Sequence, residues 1–440
     1  MRKILHEIRD PIHTFVRLDT QERELLDARP LQRLRRIRQL GMSHYIYPGA
    51  NHNRFEHSLG AMDLAGRVYD TLVDPEHVTD EVRELLPRLG NSEREQHWRR
   101  ILRAAALCHD VGHLPFSHAS EDLLPDGMRH EHLTKKIILG ELAGLFQGME
   151  PALPPNDVAF VALGPEFFDE KEPDPWAVLV SEIITNDAFG VDRMDYLLRD
   201  SYHVGVPNGR FDYERLIDTM RILRPPPQPD EEDSEEPTIG VEEGGLHSAE
   251  ALIIARFFMY AQVYYHRGRR IYDIHLKDFL KEWLADGRYS PDDSGQVDLT
   301  DDEVYSALWE NAGTENGELT EYAKRIIERQ HFKFVFRPDP ARGKLAPIDR
   351  QRVYEALADE YDEENVRQAH VPPKEQVLDF PVQCEPSNEV ASARGLSQLI
   401  ETLPALSVDF VYVAPGQSDE AKKWLERSLD EILSDGQEGQ

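Results

Sequence analysis

The sequence contains little cysteine. Only Cys108 and Cys384 occur among its 440 residues, which is too few for a disulfide framework. Cys108 lies in an apolar run, where a buried thiol is the ordinary expectation. Cysteine usage therefore favours a reducing compartment, and we expect the protein in the cytoplasm.

Positive charge is also scarce. The chain has 50 Lys and Arg against 82 Asp and Glu, giving a net charge of -32 at pH 7. Sequence-independent binding to nucleic acid needs a positive face, so we expect no nucleic-acid partner. A polyphosphate ligand would have to be held by local arginines or by a metal ion. The acidic surface, with 12 Lys against 38 Arg, resembles that of proteins adapted to high salt, although ordinary solubility favours acidic residues too.

The sequence lacks an apolar run long enough to span a bilayer. Its first 20 residues carry charges throughout, and the apolar stretch 249–265 is interrupted by Glu250 and Arg256. We therefore expect a soluble protein without a signal peptide and without a membrane partner.

The first three quarters of the chain predict a helical domain, residues 1–328. Apolar residues recur there at spacings of three and four, as on the buried face of a helix. The segments with this pattern are 21–40, 58–73, 101–108, 132–146 and 175–200.

Two departures from the helical pattern define the rest of the fold class. Residues 225–238 are rich in proline and acid and cannot bury a core, so we interpret them as an exposed loop between two short extended segments, 220–223 and 239–242. In residues 329–440, short β-like runs alternate with helical stretches, which predicts a small α+β domain. The predicted fold is mainly α, with an all-helical core, a short β-hairpin insertion and a small C-terminal α+β domain.

Histidines and carboxylates cluster in residues 102–121, LRAAALCHDVGHLPFSHASE. An apolar helix leads directly into His109-Asp110, and Gly112 follows. Neighbouring helical residues point about 100° apart, so both side chains can reach one ion only near the helix end. One His-Asp pair is expected about once by chance in such a chain. Further histidines and a carboxylate nearby favour a divalent metal site, without the thiolates of structural zinc.

Further ligands must come from other segments. His57, in NRFEHSLGAMDLAG, is one candidate. Asp192, Tyr196 and Asp200 follow one another at four-residue spacing and so share a helical face that could serve an ion and a sugar. The alternative, a solvated face with ordinary salt bridges, is common for such a triplet. A second row of this kind, which would also suit a core helix, comprises Arg256, Tyr260 and Tyr264.

Four motifs, HNRFEHSLG, CHDVGHLPFSH, RHEH and VDRMDYLLRD, resemble in this order those of the HD-domain phosphohydrolases. The similarity covers residues 5–285 and is greatest to the deoxynucleoside triphosphate (dNTP) triphosphohydrolases, the branch with bacterial dGTPases and the vertebrate SAM-and-HD-domain enzyme. It implies that residues 1–328 form an HD domain. It also implies a metal-dependent enzyme that forms a homo-oligomer. The implied reaction is hydrolysis of a dNTP to deoxynucleoside and triphosphate, with dGTP as the expected substrate.

The resemblance implies a role for individual residues as well. The metal ligands would be His57, His109, Asp110 and Asp192, holding Mn, Mg, Fe, Co, Ni or Zn. The catalytic positions would be His113, His118, Glu121, His130 and Glu131. The substrate contacts would be Gln39, Leu40, Arg54, Arg193, Tyr196, Asp200, Arg256 and Tyr264. An activating nucleotide would meet Asp27, Gln32 and Arg35, although their helix also has a purely structural explanation.

Two alternatives remain open. The chain could be an HD phosphohydrolase that acts on another nucleotide phosphoester, or a catalytically silent HD protein that senses nucleotides or binds nucleic acid. Suitable ligand types at all four metal positions and the negative charge weigh against the second.

Overall fold

The computed structural model describes residues 5–86, 89–169, 173–226, 236–338, 347–373 and 378–434. The described chain begins with an antiparallel hairpin of strands β1 (His6–Asp10) and β2 (Thr14–Leu18). Asp10 closes its turn by accepting the backbone N–H groups of Ile12 and His13, both at 2.8 Å. This hairpin was not predicted, because two five-residue strands give too short an alternation of apolar and polar residues to be recognised.

Helices form the core that follows. Between residues 54 and 200, the described residues adopt helices and turns without a strand, which confirms the predicted all-helical core. These helices and the two before them are α1 (Thr20–Leu26), α2 (Arg29–Arg33), α3 (Arg54–Leu72), α4 (Asp80–Leu85), α5 (Ser92–Cys108), α6 (His118–Glu121), α7 (His130–Leu139), α8 (Ala143–Gly148), α9 (Pro155–Leu163), α10 (Pro175–Thr185) and α11 (Val191–Val204).

Two long helices, α3 and α5, pack against each other at the centre of this core. Helix α3 is capped by Asn53, whose side chain accepts the backbone N–H of Glu56. The last turns of α5, from Ile101 to Cys108, are buried on every side, which explains why all of these residues except Arg103 are apolar. Each large aliphatic side chain buried here contributes about 1.5–3 kcal/mol to folding. The packing fixes the end of α5, where the His-Asp pair follows.

The predicted β-hairpin is confirmed after the core. Strand β3 (Met220–Leu223) pairs antiparallel with β4 (Thr238–Glu242), with Ile222 opposite Ile239. Most of the acidic, proline-rich loop between them, 227–235, lies outside the described residues. The helices around and after the hairpin are α12 (Tyr213–Thr219), α13 (Leu246–Met259), α14 (Arg267–Trp283), α15 (Ser294–Val297), α16 (Asp301–Ala312) and α17 (Thr320–Ile327), with a π-helical turn, Tyr260–Tyr264, joining α13 to α14.

The C-terminal region contributes to two sheets. Strands β5 (Lys333–Phe336), β6 (Val366–Val371) and β9 (Val408–Val413) form an antiparallel sheet in the order β5-β9-β6, covered by α18 (Pro347–Tyr361) and α21 (Ser418–Ser434). Strands β7 (Pro381–Gln383) and β8 (Val390–Ser392) instead extend the hairpin sheet, where β7 runs parallel to β4.

Residues near β7 therefore belong to the main core. Phe380, Val382 and Ile400, the last in α20 (Gln398–Thr402) after the short α19 (Ala393–Leu396), are buried in the same cluster as α3 and α5. The packing of these C-terminal residues against the main core crosses the predicted domain boundary at residue 328. Strands of three residues are too short to show a periodic pattern that could have indicated it. No helix within the described part of the chain is both long and apolar enough to cross a membrane.

Candidate active site

Four side chains from three helices converge at one point. His57 lies in the first turn of α3, His109 and Asp110 follow the end of α5, and Asp192 lies in the first turn of α11. His57 Nε2 is 3.3 Å from His109 Nε2 and 3.0 Å from Asp192 Oδ1. Asp110 completes the cluster, with Oδ2 3.7 Å from His57 Nε2 and Oδ1 3.5 Å from His109 Nε2.

The other ring nitrogens of the two histidines are occupied. His57 Nδ1 lies 2.8 Å from Asp195 Oδ2, and His109 Nδ1 lies 2.7 Å from the carbonyl oxygen of Ala106. Carboxylate and carbonyl oxygens only accept hydrogen bonds, so each Nδ1 carries a proton. The Nε2 lone pairs of the two rings face each other and repel unless a cation, either a proton or a metal ion, lies between them. Adjacent ligands on an ion with bonds of about 2.1 Å would be about 3 Å apart, close to the spacing found here.

The electrostatics of the cluster also suit a cation. Burial by itself lowers the pKa of His57, but its hydrogen bonds to Asp192 and Asp195 outweigh burial and raise that pKa to about 10. Burial raises the pKa of Asp110, but Arg54 and the neighbouring histidines outweigh it and hold that pKa well below the usual range. A pocket that attracts a proton this strongly attracts a metal ion too, and two carboxylates with two neutral imidazoles balance a divalent charge.

A buried network holds His57 from behind. Asp195 accepts from His57 and also meets His13 Nε2 at 2.6 Å and two guanidinium nitrogens of Arg199 at 2.8 Å. Arg199 also donates to Asp10 at 2.8 Å, so the network reaches the N-terminal hairpin. Asp195 and Arg199 were not predicted as part of the site, because arginines of the α11 motif favour ordinary solvated salt bridges. The four-residue spacing of Asp195 and Arg199 was the available signal.

Neutralising Asp195 is expected to weaken metal binding. In Asp195→Asn the His57 ring loses the charged acceptor that fixes its Nδ1–H, and carboxylates in this position typically contribute 10- to 100-fold to metal affinity. Titration of Mn²⁺ or Co²⁺ into the purified variant measures the effect. Asp70→Asn is the matched control, since Asp70 pairs with Arg99 at the surface, 54 % exposed. Equal metal affinity in Asp195→Asn and the wild type would contradict this role.

A second histidine pair lies beside the cluster. His113 Nε2 is 3.3 Å from Asp110 Oδ1, and the His113 ring stacks on that of His130 with 3.7 Å between centroids. Gly112 permits this approach, because a Cβ there would lie 2.3 Å from the carbonyl oxygen of His130. Burial, with Arg54 and His130 close by, holds the pKa of His113 well below its usual value and keeps this ring neutral.

Two carboxylates contact the ring of His130. Its Nδ1 lies 2.8 Å from Glu121 Oε1 and 3.2 Å from Glu131 Oε2, so these three of the five predicted catalytic residues form one group, with His113 stacked on it. The fifth, His118, begins α6, and its side chain lies outside the described residues.

The three predicted phosphate-binding arginines all contact protein acceptors. Arg54 pairs with Asp110 and donates to Ser117 Oγ at 2.7 Å. Arg193 pairs with the carboxylate of Asp187, and Arg256 donates to the carbonyl oxygen of the same residue at 2.9 Å. The structure thus places Arg54 at the metal-ligand cluster and brings the other two together at Asp187, where they would have to exchange partners to bind phosphate.

The loop that carries Ser117 is held from outside the HD motifs. Phe116 and Ser117 both have a φ of 59°, a conformation that side-chain-bearing residues rarely adopt. Asp301, at the start of α16, accepts the backbone N–H of Phe116 at 2.7 Å and that of Arg38 at 2.9 Å. Strained residues persist only where their surroundings fix them. No sequence pattern indicates Asp301, because the hydrogen bonds that it accepts come from backbone groups.

The predicted sugar and base contacts continue from the cluster along α11. Tyr264 donates to Asp200 Oδ2 at 2.7 Å, and its ring centroid is 6.2 Å from that of Tyr196. Leu40 is buried in the main core cluster, to which Tyr264 also belongs. Gln39 carries a buried Oε1 with no hydrogen-bond partner among the described residues. A buried orphan acceptor at a predicted sugar position is an observation that points to a ligand.

The predicted activator residues lie on the surface at α1 and α2. Gln32 accepts from Arg35 Nε at 2.9 Å, whereas Asp27 pairs with Arg23 at 2.8 Å. The guanidinium of Arg35 covers the ring of Phe55 at 3.5 Å, which links this surface to the first turn of α3.

A helical core that gathers histidine and aspartate ligands beside arginines defines a class of metal-dependent phosphohydrolases. The HD domain family matches residues 54–200 and the HD associated region matches residues 211–433. The chain belongs to the HD-domain phosphohydrolase superfamily.

Relatives and a solved structure agree with this assignment. Uncharacterized protein YwfO of Bacillus subtilis is 32% identical over 75% of this chain and 72% of its own length. Human deoxynucleoside triphosphate triphosphohydrolase SAMHD1 is 30% identical over 80% of this chain, but the match covers only 58% of the human protein. The crystal structure of a hypothetical protein from Aquifex aeolicus, 31% identical, superposes with a TM-score of 0.74 over 96% of this chain and 100% of that one.

Proposed function

We propose that this chain hydrolyses dNTPs, with dGTP as the first candidate, to deoxynucleoside and inorganic triphosphate. One observation carries the proposal: the metal-donor cluster of His57, His109 and Asp110 continues along one face of α11, from Asp192 to Asp200. An ion and a sugar could therefore be held by one helix. The similarity to proteins named as dNTP triphosphohydrolases supports the same activity.

Each group of residues has a separate task in this reaction. A divalent ion held by the four-ligand cluster would supply Lewis acidity at the phosphate. Arg54, Arg193 and Arg256 would neutralise the triphosphate in a protein whose overall charge repels it. They would do so by releasing their present carboxylate and carbonyl partners.

Proton transfer to the leaving 5′-oxygen falls to His118 or His130. Glu121 and Glu131 both contact Nδ1 of His130, so Nε2 would carry out the transfer. The neutral His113 packs against this ring and keeps it in place beside Asp110.

A product assay tests the proposal. Purified protein with Mn²⁺, Mg²⁺ or Co²⁺ is expected to release triphosphate from dNTPs and much less from NTPs, as measured by ion-exchange chromatography. Release of pyrophosphate or orthophosphate would contradict triphosphohydrolysis. Equal turnover of NTPs would favour an HD phosphohydrolase with another nucleotide substrate, and RNA or single-stranded DNA binding without turnover would favour a silent sensor.

An activating nucleotide and a homo-oligomer are proposed as well. The activator is supported by the stacking of Arg35 on Phe55, the residue beside Arg54. A ligand held by Gln32 and Arg35 would therefore be linked through Phe55 to the first turn of α3. The same assay with added GTP, together with oligomer size measured by light scattering, tests both.

A further inference from the structure

A stacked pair of histidines, His52 and His203, lies behind the predicted sugar contact. Their ring centroids are 4.4 Å apart with 11° between the planes. His52 Nε2 is 2.7 Å from Asp200 Oδ1, and both residues are buried. Since Tyr264 donates to the other oxygen, Oδ2, the carboxylate of Asp200 is held from both sides.

The hydrogen bonds define the form of the His52 ring. Asp200 only accepts, so Nε2 of His52 carries the proton. Nδ1 is buried and has no hydrogen-bond partner among the described residues. His52 therefore contacts Asp200 as a donor through Nε2. Each oxygen of Asp200 accepts one of these bonds and keeps a second lone pair for a ligand.

The sugar of a dNTP offers only one group to that acceptor. Its 5′-oxygen is esterified to phosphate and its 2′-position bears hydrogen, so the 3′-hydroxyl is its sole free donor. We propose that His52 is a positioning residue that sets specificity for the 3′-hydroxyl by fixing Asp200. This inference rests on the proposed function.

The surroundings of the pair support this role. The carbonyl oxygen of His52 accepts the backbone N–H of Gln39 at 3.0 Å, so the same segment positions the orphan acceptor described above. A Cβ on Gly49 would lie 2.2 Å from the carbonyl oxygen of His203, which shows how closely this loop approaches α11.

Glu56, for which the α3 motif offers no metal or phosphate role, lies beside the pair. Its Oε2 is 3.6 Å from His203 Nε2, too long for a hydrogen bond, and its Oε1 accepts from Asn53 at 2.9 Å.

A comparison of dNTP with the 2′,3′-dideoxy analogue of the same base tests the inference. For the wild type, kcat/KM should be higher with the dNTP than with the analogue, because the analogue has no 3′-hydroxyl to donate to Asp200. In His52→Leu, the KM for the dNTP should rise about tenfold or more with little change in kcat, since this contact exists in both ground and transition states. The kcat and KM for the analogue should stay the same in His52→Leu, so the preference for the dNTP over the analogue should be lost.

Two further variants complete the design. His52→Gln keeps an N–H donor toward Asp200 and is expected to retain the preference. His247→Leu is the control, since His247 is 91 % exposed and pairs with Glu250 at the surface. Equal losses for both substrates in His52→Leu and His52→Gln would overturn the inference while leaving the proposed function intact. If the wild type turns over no dNTP, the proposed function fails and the inference falls with it.

Discussion

Asp110→Ala is expected to abolish triphosphate release and to reduce the metal content of the purified protein. Asp110 contacts three histidines of the site, His57, His109 and His113, at 3.3–3.7 Å. It also forms an ion pair with Arg54. Its loss removes a ligand and leaves Arg54 without its carboxylate. A metal ion supplies several kcal/mol of transition-state stabilisation, so kcat should fall by about 1000-fold or more.

Two measurements on the same preparations check this expectation. Metal per chain after dialysis reports on binding, and triphosphate release with saturating Mn²⁺ reports on turnover. Asp292→Ala is the control, because Asp292 is 95 % exposed and pairs with Lys136 at the surface. An Asp110→Ala variant that keeps full metal content and activity would show that the centre lies elsewhere.

The long helices of the core could be predicted because they leave a periodic signal. The apolar run of α5 and the apolar face of α3 are visible in the sequence, and the hairpin β3-β4 is indicated by the break in that pattern. The His109-Asp110 pair is visible in the sequence as a local cluster, whereas His57 and Asp192 could be assigned to the same ion only through the motif resemblance, since each lies more than 50 residues from the pair and no local pattern connects them. Their roles stay predictions.

The groups that support the centre could not be found in this way. Asp195 and Arg199 look like an ordinary surface pair at four-residue spacing, and only the tertiary fold reveals that both are fully buried. His52 lies just before α3, and its hydrogen-bond partner Asp200, on α11, is 148 residues away. The parallel pairing of β7 with β4 also depends on a contact between distant segments. Long-range pairing of this kind leaves no trace in local periodicity.

Arg199→Met is expected to destabilise the whole protein rather than the centre alone. Arg199 is fully buried, and its guanidinium donates to Asp195 on α11 and to Asp10 on β1, at 2.8 Å in each bond. Its removal leaves two buried carboxylates without their cation, and breaking a buried pair in this way costs about 3–5 kcal/mol. A Cβ on Gly60 would lie 2.4 Å from Arg199, so α3 packs too closely for the site to rearrange easily.

Urea unfolding compares this variant with Arg67→Met, a surface arginine that pairs with Glu214. The control pair is partly exposed and should contribute less than about 1 kcal/mol, so its unfolding midpoint should stay close to that of the wild type. If both variants lose the same small amount, solvent must reach Asp195 and Asp10, and the buried network would not be what fixes His57. If Arg199→Met alone shows the large loss, the network that orients His57, the proposed metal ligand, also joins the N-terminal hairpin to the helical core.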